Sequence, residues 1–428
     1  MSHFPDFTLE NARQLDRADS LSSFRDRFHL PTGAQGELVY LCGNSLGLQP
    51  KNVRPALDEV LDDWARLAVE GHFAAARPWM PYHRLLAASG EKLVGARPGE
   101  VVFMNSLSVN LHLLMASFYR PTGSRTRILV EGGAFPSDRY AVATHLEHHG
   151  LDPDEQMVQL RPREGEDCLR PEDILATIEA QGDRLTLILL GGVNYYTGQA
   201  FDMREITRAG HAVGARVAFD LAHAAGNLEL ALHDWNVDWA AWCGYKYLNS
   251  GPGGISGVFV HERHGRDTTL PRLAGWWGHD SETRFAMPER FQAMEGAEGW
   301  QLSNPPILPL AALRASLELF DEAGMPALRA RSLRLTAWLE QGLDAASHGR
   351  FRQLTPRDPA QRGAQLSLHF PGGATTVMRE LEAADVLADL RRPDVIRLSP
   401  APLYNSFEDC WHAVQRLDGL PALNSRRP

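Results

Sequence analysis

The chain has 428 residues, a net charge of −10 at neutral pH, and 44% hydrophobic and 22% charged residues, ordinary values for a globular protein. This length exceeds one ordinary hydrophobic core, so two domains of unequal size are expected. The negative charge disfavours a nucleic-acid surface, and no apolar run or N-terminal signal predicts membrane insertion or secretion. The four cysteines form no CxxC pair, which favours a reducing cytoplasm and predicts no metal site.

Residues 1–45 are predicted to form an arm that packs on the rest of the chain. Short apolar runs then alternate with helical stretches. The runs predicted as strands are 101–104, 128–130, 185–190, 217–219 and 258–260, and the helices between them include 107–118, 171–181 and 203–214. Fully apolar strands separated by helices indicate an α/β fold with a mostly parallel sheet covered on both faces.

Prolines at 305, 306 and 309 interrupt the pattern. Beyond them the sequence predicts helices at 310–323 and 327–343 and short strands at 365–370 and 395–398. We therefore predict a large domain over 46–305 and a smaller C-terminal α+β domain over 306–428.

Lysine is rare in this chain: of 43 basic residues, only Lys51, Lys92 and Lys246 are lysines. Arginine supplies charge, but it cannot replace a primary amine that must lose its proton and form a covalent imine. Lys246 follows the apolar and aromatic run 242–245, so its amine is partly desolvated and a better nucleophile. The alternative is a lysine that packs its stem on an apolar surface and extends its charge into water.

Asp220 ends the apolar run 217–219, at the sheet edge where α/β proteins bind ligands, and His223 follows it. A carboxylate there can keep a pyridinium nitrogen protonated, which makes pyridoxal phosphate an electron sink. Taken alone, Asp220 could cap a helix, and His223 could be a buried histidine whose hydrogen bonds are made within the core. Together with Lys246 they predict a pyridoxal phosphate site.

Four further segments are candidates for ligand contacts. Leu107 and Ser108 open a helix whose free N–H groups can bind phosphate, although an ordinary N-cap is the alternative. Residues 135–138 follow a strand and offer an aromatic face and two polar side chains, or form only a surface turn. The adjacent Trp276 and Trp277 point one ring inward, where an indole N–H can donate a hydrogen bond, although core packing is the alternative for Trp277. Arg397, at a strand end, could clamp a carboxylate.

In this order, nine segments resemble the kynureninases, which are fold-type I, pyridoxal-phosphate-dependent hydrolases of the class V aminotransferase group. The segments are 43–47, 110–115, 135–138, 196–199, 219–224, 233–235, 245–249, 303–306 and 402–407. The resemblance implies that Lys246 holds the cofactor as an imine and moves protons. It also implies that Asp220 pairs with the pyridinium nitrogen and that His223 lies near the cofactor.

The resemblance implies further contacts and a homodimer with shared active sites. The remaining implied cofactor contacts are Leu107, Ser108, Phe135, Pro136, Ser137, Asp138, Tyr245, Trp276 and Asn304, with Trp276 and Asn304 reaching across the dimer interface. Arg397 with Asn44 is implied to hold the substrate α-carboxylate. Tyr245 is also a candidate for the base that activates water, which the sequence does not identify.

The implied reaction is hydrolysis of the Cβ–Cγ bond of kynurenine or 3-hydroxykynurenine, in tryptophan degradation or NAD synthesis. His72 and Asn304 match the branch of the family that handles the hydroxylated substrate well. The chain departs from relatives at Ser108, where many have Thr, and at Gly191, where some have a Ser that contacts cofactor. Alternatives are a class V aminotransferase, a cysteine desulfurase using Cys168, or a non-enzymatic α/β binding protein.

Overall fold

A computed structural model describes residues 4–34, 36–267 and 269–424. Residues 1–3 and 35 of the predicted arm, and 425–428 of the predicted C-terminal domain, lie outside this description. The α-helices are Leu9–Arg17, Val53–Leu67, Gly71–Ala74, Ala87–Val94, Leu107–Phe118, Pro136–His148, Pro153–Gln156, Pro171–Gln181, Met203–Ala212, Glu262–Gly265, Ile307–Ala323, Met325–Ser347, Ala374–Ala383, Phe407–Asp418 and Pro421–Asn424. Over the described ranges, none of them has the length and apolar character needed to cross a bilayer.

The centre of the fold is a seven-stranded sheet flanked by helices. Its strands, in spatial order, are Val101–Phe103, Ser256–Val260, Trp239–Cys243, Arg216–Asp220, Leu185–Gly191, Arg127–Glu131 and Met157–Leu160. Only Ser256–Val260 runs antiparallel to its neighbours. The five central strands are almost wholly buried, as expected when helices cover both faces. The predicted α/β fold with a mostly parallel sheet is confirmed.

Two strands of this sheet were not predicted, and some helix limits differ. Trp239–Cys243 was missed because it contains alanines, which have low strand propensity. It forms a strand because it is buried and pairs with a neighbouring strand on each side. Met157–Leu160 is a partly exposed edge strand. The helix predicted to end at residue 214 ends at Ala212, because Gly214 has a left-handed φ of 79°.

A second, four-stranded antiparallel sheet lies in the C-terminal part. In spatial order its strands are Arg352–Gln353, Leu366–His369, Val395–Leu398 and Asp389–Arg391. Buried side chains from Leu310 to Leu328 pack with the core of the large sheet, whereas those from Leu335 to Leu343 pack with the smaller one. The domain limits at 305 and 306 stay a prediction.

The N-terminal residues pack on both parts of the chain: Leu21, Phe24 and Phe28 join the core of the large sheet, and other residues contact the C-terminal part. Helix Leu9–Arg17 lies on helix Phe407–Asp418, where the Asp16 carboxylate accepts the N–H groups of Phe407 and Glu408 at 2.8 and 3.0 Å. Two further two-residue ladders join Thr32–Gly33 to Gly36–Glu37 and Val39–Tyr40 to Val386–Leu387. These contacts bring residues 39–45 towards the small sheet.

His145 makes stability sensitive to pH. Its ring packs on Tyr119 and His149, and its buried Nε2 has no hydrogen-bond partner among the described residues. Burial, then the charges of His149, His112 and His148, lowers the pKa of His145 to about 4. In the unfolded chain it titrates near its usual 6.5, so the unfolded state takes up the proton first as the pH falls.

We expect the free energy of unfolding to fall by up to about 2 kcal/mol between pH 6.5 and 4 because of this residue, solvent screening included. Urea unfolding measured across this range should show the free energy of unfolding falling with pH in the parent protein, and falling less steeply in His145→Asn. Equal slopes in the two proteins would contradict the assignment.

Candidate active site

The predicted site residues converge at one edge of the large sheet. Three adjacent parallel strands end there at Glu131, Gly191 and Asp220. A cavity of about 180 Å³ opens at this edge. The predicted residues that line it are Leu107, Ser108, Phe135, Ser137, Asp138, Asp220, His223, Tyr245 and Lys246. Ligand binding at the carboxyl ends of parallel strands is the rule for open α/β sheets.

Lys246 and His223 are in direct contact. The Lys246 Nζ lies 3.1 Å from His223 Nε2, and the rings of Phe135 and Tyr245 flank the amine at 5.8 and 5.9 Å. Burial and the charge of Lys246 hold the pKa of His223 well below its usual value. The imidazole is therefore neutral and accepts a hydrogen bond from the amine. Its buried Nδ1 has no partner among the described residues.

Asp220, which is buried, and Asp138, which is partly buried, form a pair of hydrogen-bonded carboxyl groups. Burial raises the pKa of Asp220, while nearby Lys246 and the N–H of Ala222, 2.7 Å from Oδ1, lower it. Burial and the charge of Asp220 raise the pKa of Asp138 well above its usual value. We therefore assign Asp138 as the protonated donor and Asp220 as the ionised acceptor of the bond between them.

The start of helix Leu107–Phe118 forms an anion site. The side chain of its N-cap residue, Ser106, makes no capping hydrogen bond, so the first N–H groups are left for a ligand. Asn105, at a left-handed φ of 50°, donates to Asn110 at 2.9 Å and fixes the entry into the helix. The hydroxyls of Ser108 and Ser137 lie 2.7 Å apart beside this helix start.

These donors and acceptors fit pyridoxal phosphate. An amine, a buried carboxylate and an uncapped helix start are the three partners that its aldehyde, ring nitrogen and phosphate need. The unpartnered, buried His223 Nδ1 and Ser256 Oγ also line or adjoin this cavity, so polar atoms remain for a ligand. The residues present therefore match the group chemically.

The proposed carboxylate-binding residues lie beside the cavity rather than in its lining. Arg397 is fully buried; it donates to the Tyr195 carbonyl at 2.6 Å and forms an ion pair with Asp389. Asn44 donates to Gln365 at 2.9 Å. Among the described residues, Arg397 Nε and Asn44 Oδ1 have no partner. Arg397 Nε is a donor and is thus still open to a carboxylate, whereas Asn44 Oδ1 is an acceptor, so Asn44 could bind a carboxylate only through the side-chain N–H group that now bonds Gln365.

Four other predicted residues are not brought to the lining within one chain. Pro136 begins the helix next to Phe135. Trp276 is 39% exposed and donates to the Arg284 carbonyl at 3.3 Å, and Asn304 is exposed. His72 lies with Nδ1 3.0 Å from the Val69 carbonyl. The contribution of Trp276 and Asn304 to a neighbouring subunit stays a prediction.

Among the lining residues that were not predicted as site residues are Glu131, Asn194, Tyr195 and Ser256. Glu131 ends an apolar strand just as Asp220 does, and this signal could have found it. Ser256 begins the antiparallel strand, and the direction of a strand is not readable from its residues.

Known proteins match the chain over almost its whole length. A family model described as the kynureninase C-terminal domain matches residues 328–417. Kynureninase from Koribacter versatilis is 60% identical over 411 residues, which are 96% of this chain and 97% of that protein. Kynureninase from Myxococcus xanthus is 59% identical over 409 residues, 95% of this chain and 96% of that protein.

The chain belongs to the kynureninase family. The family predicted from the sequence is therefore confirmed. Solved structures add the fold: the cysteine desulfurase CsdA from Escherichia coli superimposes with a TM-score of 0.77 at 19% identity, over 95% of this chain and 99% of that one. A mutant of C-DES with glycine covalently linked to its PLP cofactor gives 0.75 at 18% identity, over 90% of this chain and 97% of that one. At such identities the likeness concerns the fold alone.

Proposed function

We propose that this chain is a kynureninase, a pyridoxal-phosphate-dependent hydrolase. It cleaves the Cβ–Cγ bond of L-kynurenine and L-3-hydroxykynurenine, releasing anthranilate or 3-hydroxyanthranilate and L-alanine. The observation that carries the proposal is the meeting of Lys246, His223 and Asp220 in one cavity of a kynureninase-family chain. When bound, the cofactor supplies an electron sink that makes cleavage of the carbon–carbon bond possible.

Each side chain at the cavity has a distinct task. Lys246 holds the cofactor through its amine and afterwards moves a proton at the substrate α-carbon. His223, neutral, accepts a hydrogen bond from that amine and orients it. Asp220, ionised, keeps the ring nitrogen protonated, and the proton on Asp138 stabilises that negative charge. Tyr245 lines the same cavity and is our candidate for the base that activates water.

The substrate carboxylate binds Arg397 and Asn44 in this proposal. The guanidinium is the planar donor that suits a carboxylate, and its buried Nε has no partner among the described residues. Asn44 contributes its side-chain N–H group, which bonds Gln365 before substrate arrives. The ion pair with Asp389 keeps the guanidinium in place before substrate arrives. A carboxylate then binds a side chain that is already ordered.

A cytoplasmic homodimer is part of the proposal. Several large apolar side chains are exposed, and exposed apolar surface is typical of an interface. They include Trp64, Phe73, Leu273, Trp276, Phe285 and Met287. In this dimer the partner subunit's Trp276 and Asn304 contact the cofactor phosphate. The partner subunit's Asn304 also contacts the substrate. All four cysteines are unpaired, which supports a reducing compartment.

The test is an assay of the purified protein with each kynurenine. We expect the aromatic amine and alanine to appear together in equal amounts. An aminotransferase would instead consume the amino group without releasing anthranilate, and that result would overturn the proposal.

A desulfurase activity has no support at Cys168. Burial raises the pKa of this thiol to about 11, and its Sγ lies 3.5 Å from the Leu354 carbonyl. A desulfurase needs an accessible thiolate. The alternative predicts alanine release from cysteine, which the same alanine assay measures.

Substrate preference gives a further prediction. We expect kcat/KM for 3-hydroxykynurenine to be at least equal to that for kynurenine, because an imidazole at His72 and an amide at Asn304 can bond the extra phenol. The double variant His72→Trp, Asn304→Thr removes both partners and should shift the ratio towards kynurenine by about tenfold or more. A strong preference of the parent protein for the unhydroxylated substrate would refute this role.

A further inference from the structure

Gly191 lies at the edge of the cavity, and the space that a side chain would need at this position is filled. A Cβ atom at Gly191 would lie 2.8 Å from Glu131 Oε1 and 3.3 Å from the Val193 carbonyl oxygen. The glycine therefore lets the Glu131 carboxylate approach the backbone closely. Glu131 and Gly191 end neighbouring strands at the cavity.

Both oxygens of Glu131 accept hydrogen bonds. Oε1 accepts the Gly191 N–H at 2.6 Å, and Oε2 accepts the side-chain amide of Asn194 at 2.7 Å. The residue is buried, and burial raises the pKa of its carboxyl group. Because both partners are donors, both oxygens of Glu131 act as acceptors, which suits a carboxylate.

Asn194 continues the connection into the next turn. Its Oδ1 accepts the N–H groups of Tyr196 and Thr197, both at 2.9 Å, and the Thr197 hydroxyl at 3.1 Å. With one end of its amide held by Glu131 and the other by the turn, Asn194 fixes residues 194–197.

This turn is the surface against which Arg397 is held. The Tyr195 carbonyl accepts from Arg397 Nη1 at 2.6 Å and from Gln365 Nε2 at 3.0 Å. Gln365 in turn contacts Asn44. The Glu131–Asn194 pair therefore connects the cavity edge with both residues that we assign to the substrate carboxylate.

We propose that Glu131 is a positioning residue for substrate binding. Through Asn194 it sets the turn that orients Arg397, and its Oε1 occupies the space that a side chain at position 191 would need. The inference rests on the proposed function, which assigns the substrate carboxylate to Arg397.

The test is Glu131→Gln. An amide offers one acceptor and one donor, so one of the two bonds becomes a contact between donors. We expect KM for kynurenine to rise about tenfold or more, kcat to change by less than about threefold, and the visible absorbance of the bound cofactor to remain.

A rescue variant separates this role from a loss of packing. In E131Q/N194D the new carboxylate at 194 accepts both from the turn and from the amide at 131, so every donor again has an acceptor. KM should return to within about threefold of the parent value. N194D alone places two carboxylates together and should raise KM.

The matched control is Glu100→Gln. Glu100 is also buried and accepts backbone N–H groups, from Arg97 at 2.7 Å and Glu262 at 2.6 Å. It precedes strand Val101–Phe103 and so lies at the sheet edge opposite Lys246. This control should lose thermal stability and keep KM.

An unchanged KM in E131Q, or equal changes in E131Q and the Glu100 control, would overturn the inference, as would failure of the rescue. If E131Q does not fold, Gly191→Ala displaces the same carboxylate and must give the same rise in KM. Absence of kynurenine cleavage by the parent protein would instead contradict the proposed function itself.

Discussion

Replacing Lys246 with arginine is expected to lower kcat/KM by at least about 10³-fold and to remove the visible absorbance of the bound cofactor. Arginine keeps a positive charge beside Asp220 and His223, so the electrostatics of the cavity change little. It cannot form the covalent link, and it cannot release a proton at neutral pH. A loss of activity with an unchanged thermal transition would therefore show that the reaction requires the primary amine of Lys246 and not only its positive charge.

The other two lysines provide matched controls. Lys51 and Lys92 are exposed, and Lys92 pairs with Asp321 at 3.3 Å. Lys51→Arg and Lys92→Arg should retain full activity and absorbance. Borohydride reduction followed by peptide mapping should place the pyridoxyl tag on residue 246 alone. A tag on either of the other lysines would contradict the assignment.

Composition and residue chemistry predicted the centre of the candidate site, because few other side chains can do the chemistry of Lys246 and Asp220. A primary amine and a carboxylate at a strand end cannot be exchanged for other groups in this chemistry, so Lys246 and Asp220 stand out in the sequence. The apolar strands likewise follow from burial on both faces. Periodicity does not report strand direction, so the antiparallel Ser256–Val260 and the cavity contact of Ser256 could not be derived from it.

Contacts between distant residues were not predictable. The turn that holds Arg397 belongs to the large sheet, while Arg397 itself belongs to the small one, and their contact joins residues 202 positions apart. The ion pair of Arg397 with Asp389 depends on the register of two short strands. A single sequence does not contain such pairings, because they depend on how the two sheets pack.

The second large effect is expected at Asp220. The change Asp220→Asn keeps the size of the side chain but turns one of its two acceptors into a donor, and it removes the negative charge that balances a protonated ring nitrogen. We expect kcat to fall by roughly 10²–10³-fold, because electrostatic stabilisation in a buried site is worth this much. The cofactor should stay linked to Lys246, so absorbance in the visible range should persist with a shifted maximum.

Asp138→Asn is the matched comparison, because we assign Asp138 as the protonated group that donates to Asp220. An asparagine amide at this position can still donate, so kcat should fall by no more than about tenfold. Stopped-flow absorbance and steady-state rates on both variants measure the difference. Equal losses in the two variants would mean that the charge is shared between the carboxyl groups. A larger loss at Asp138 would place the ionised group there and reverse the assignment.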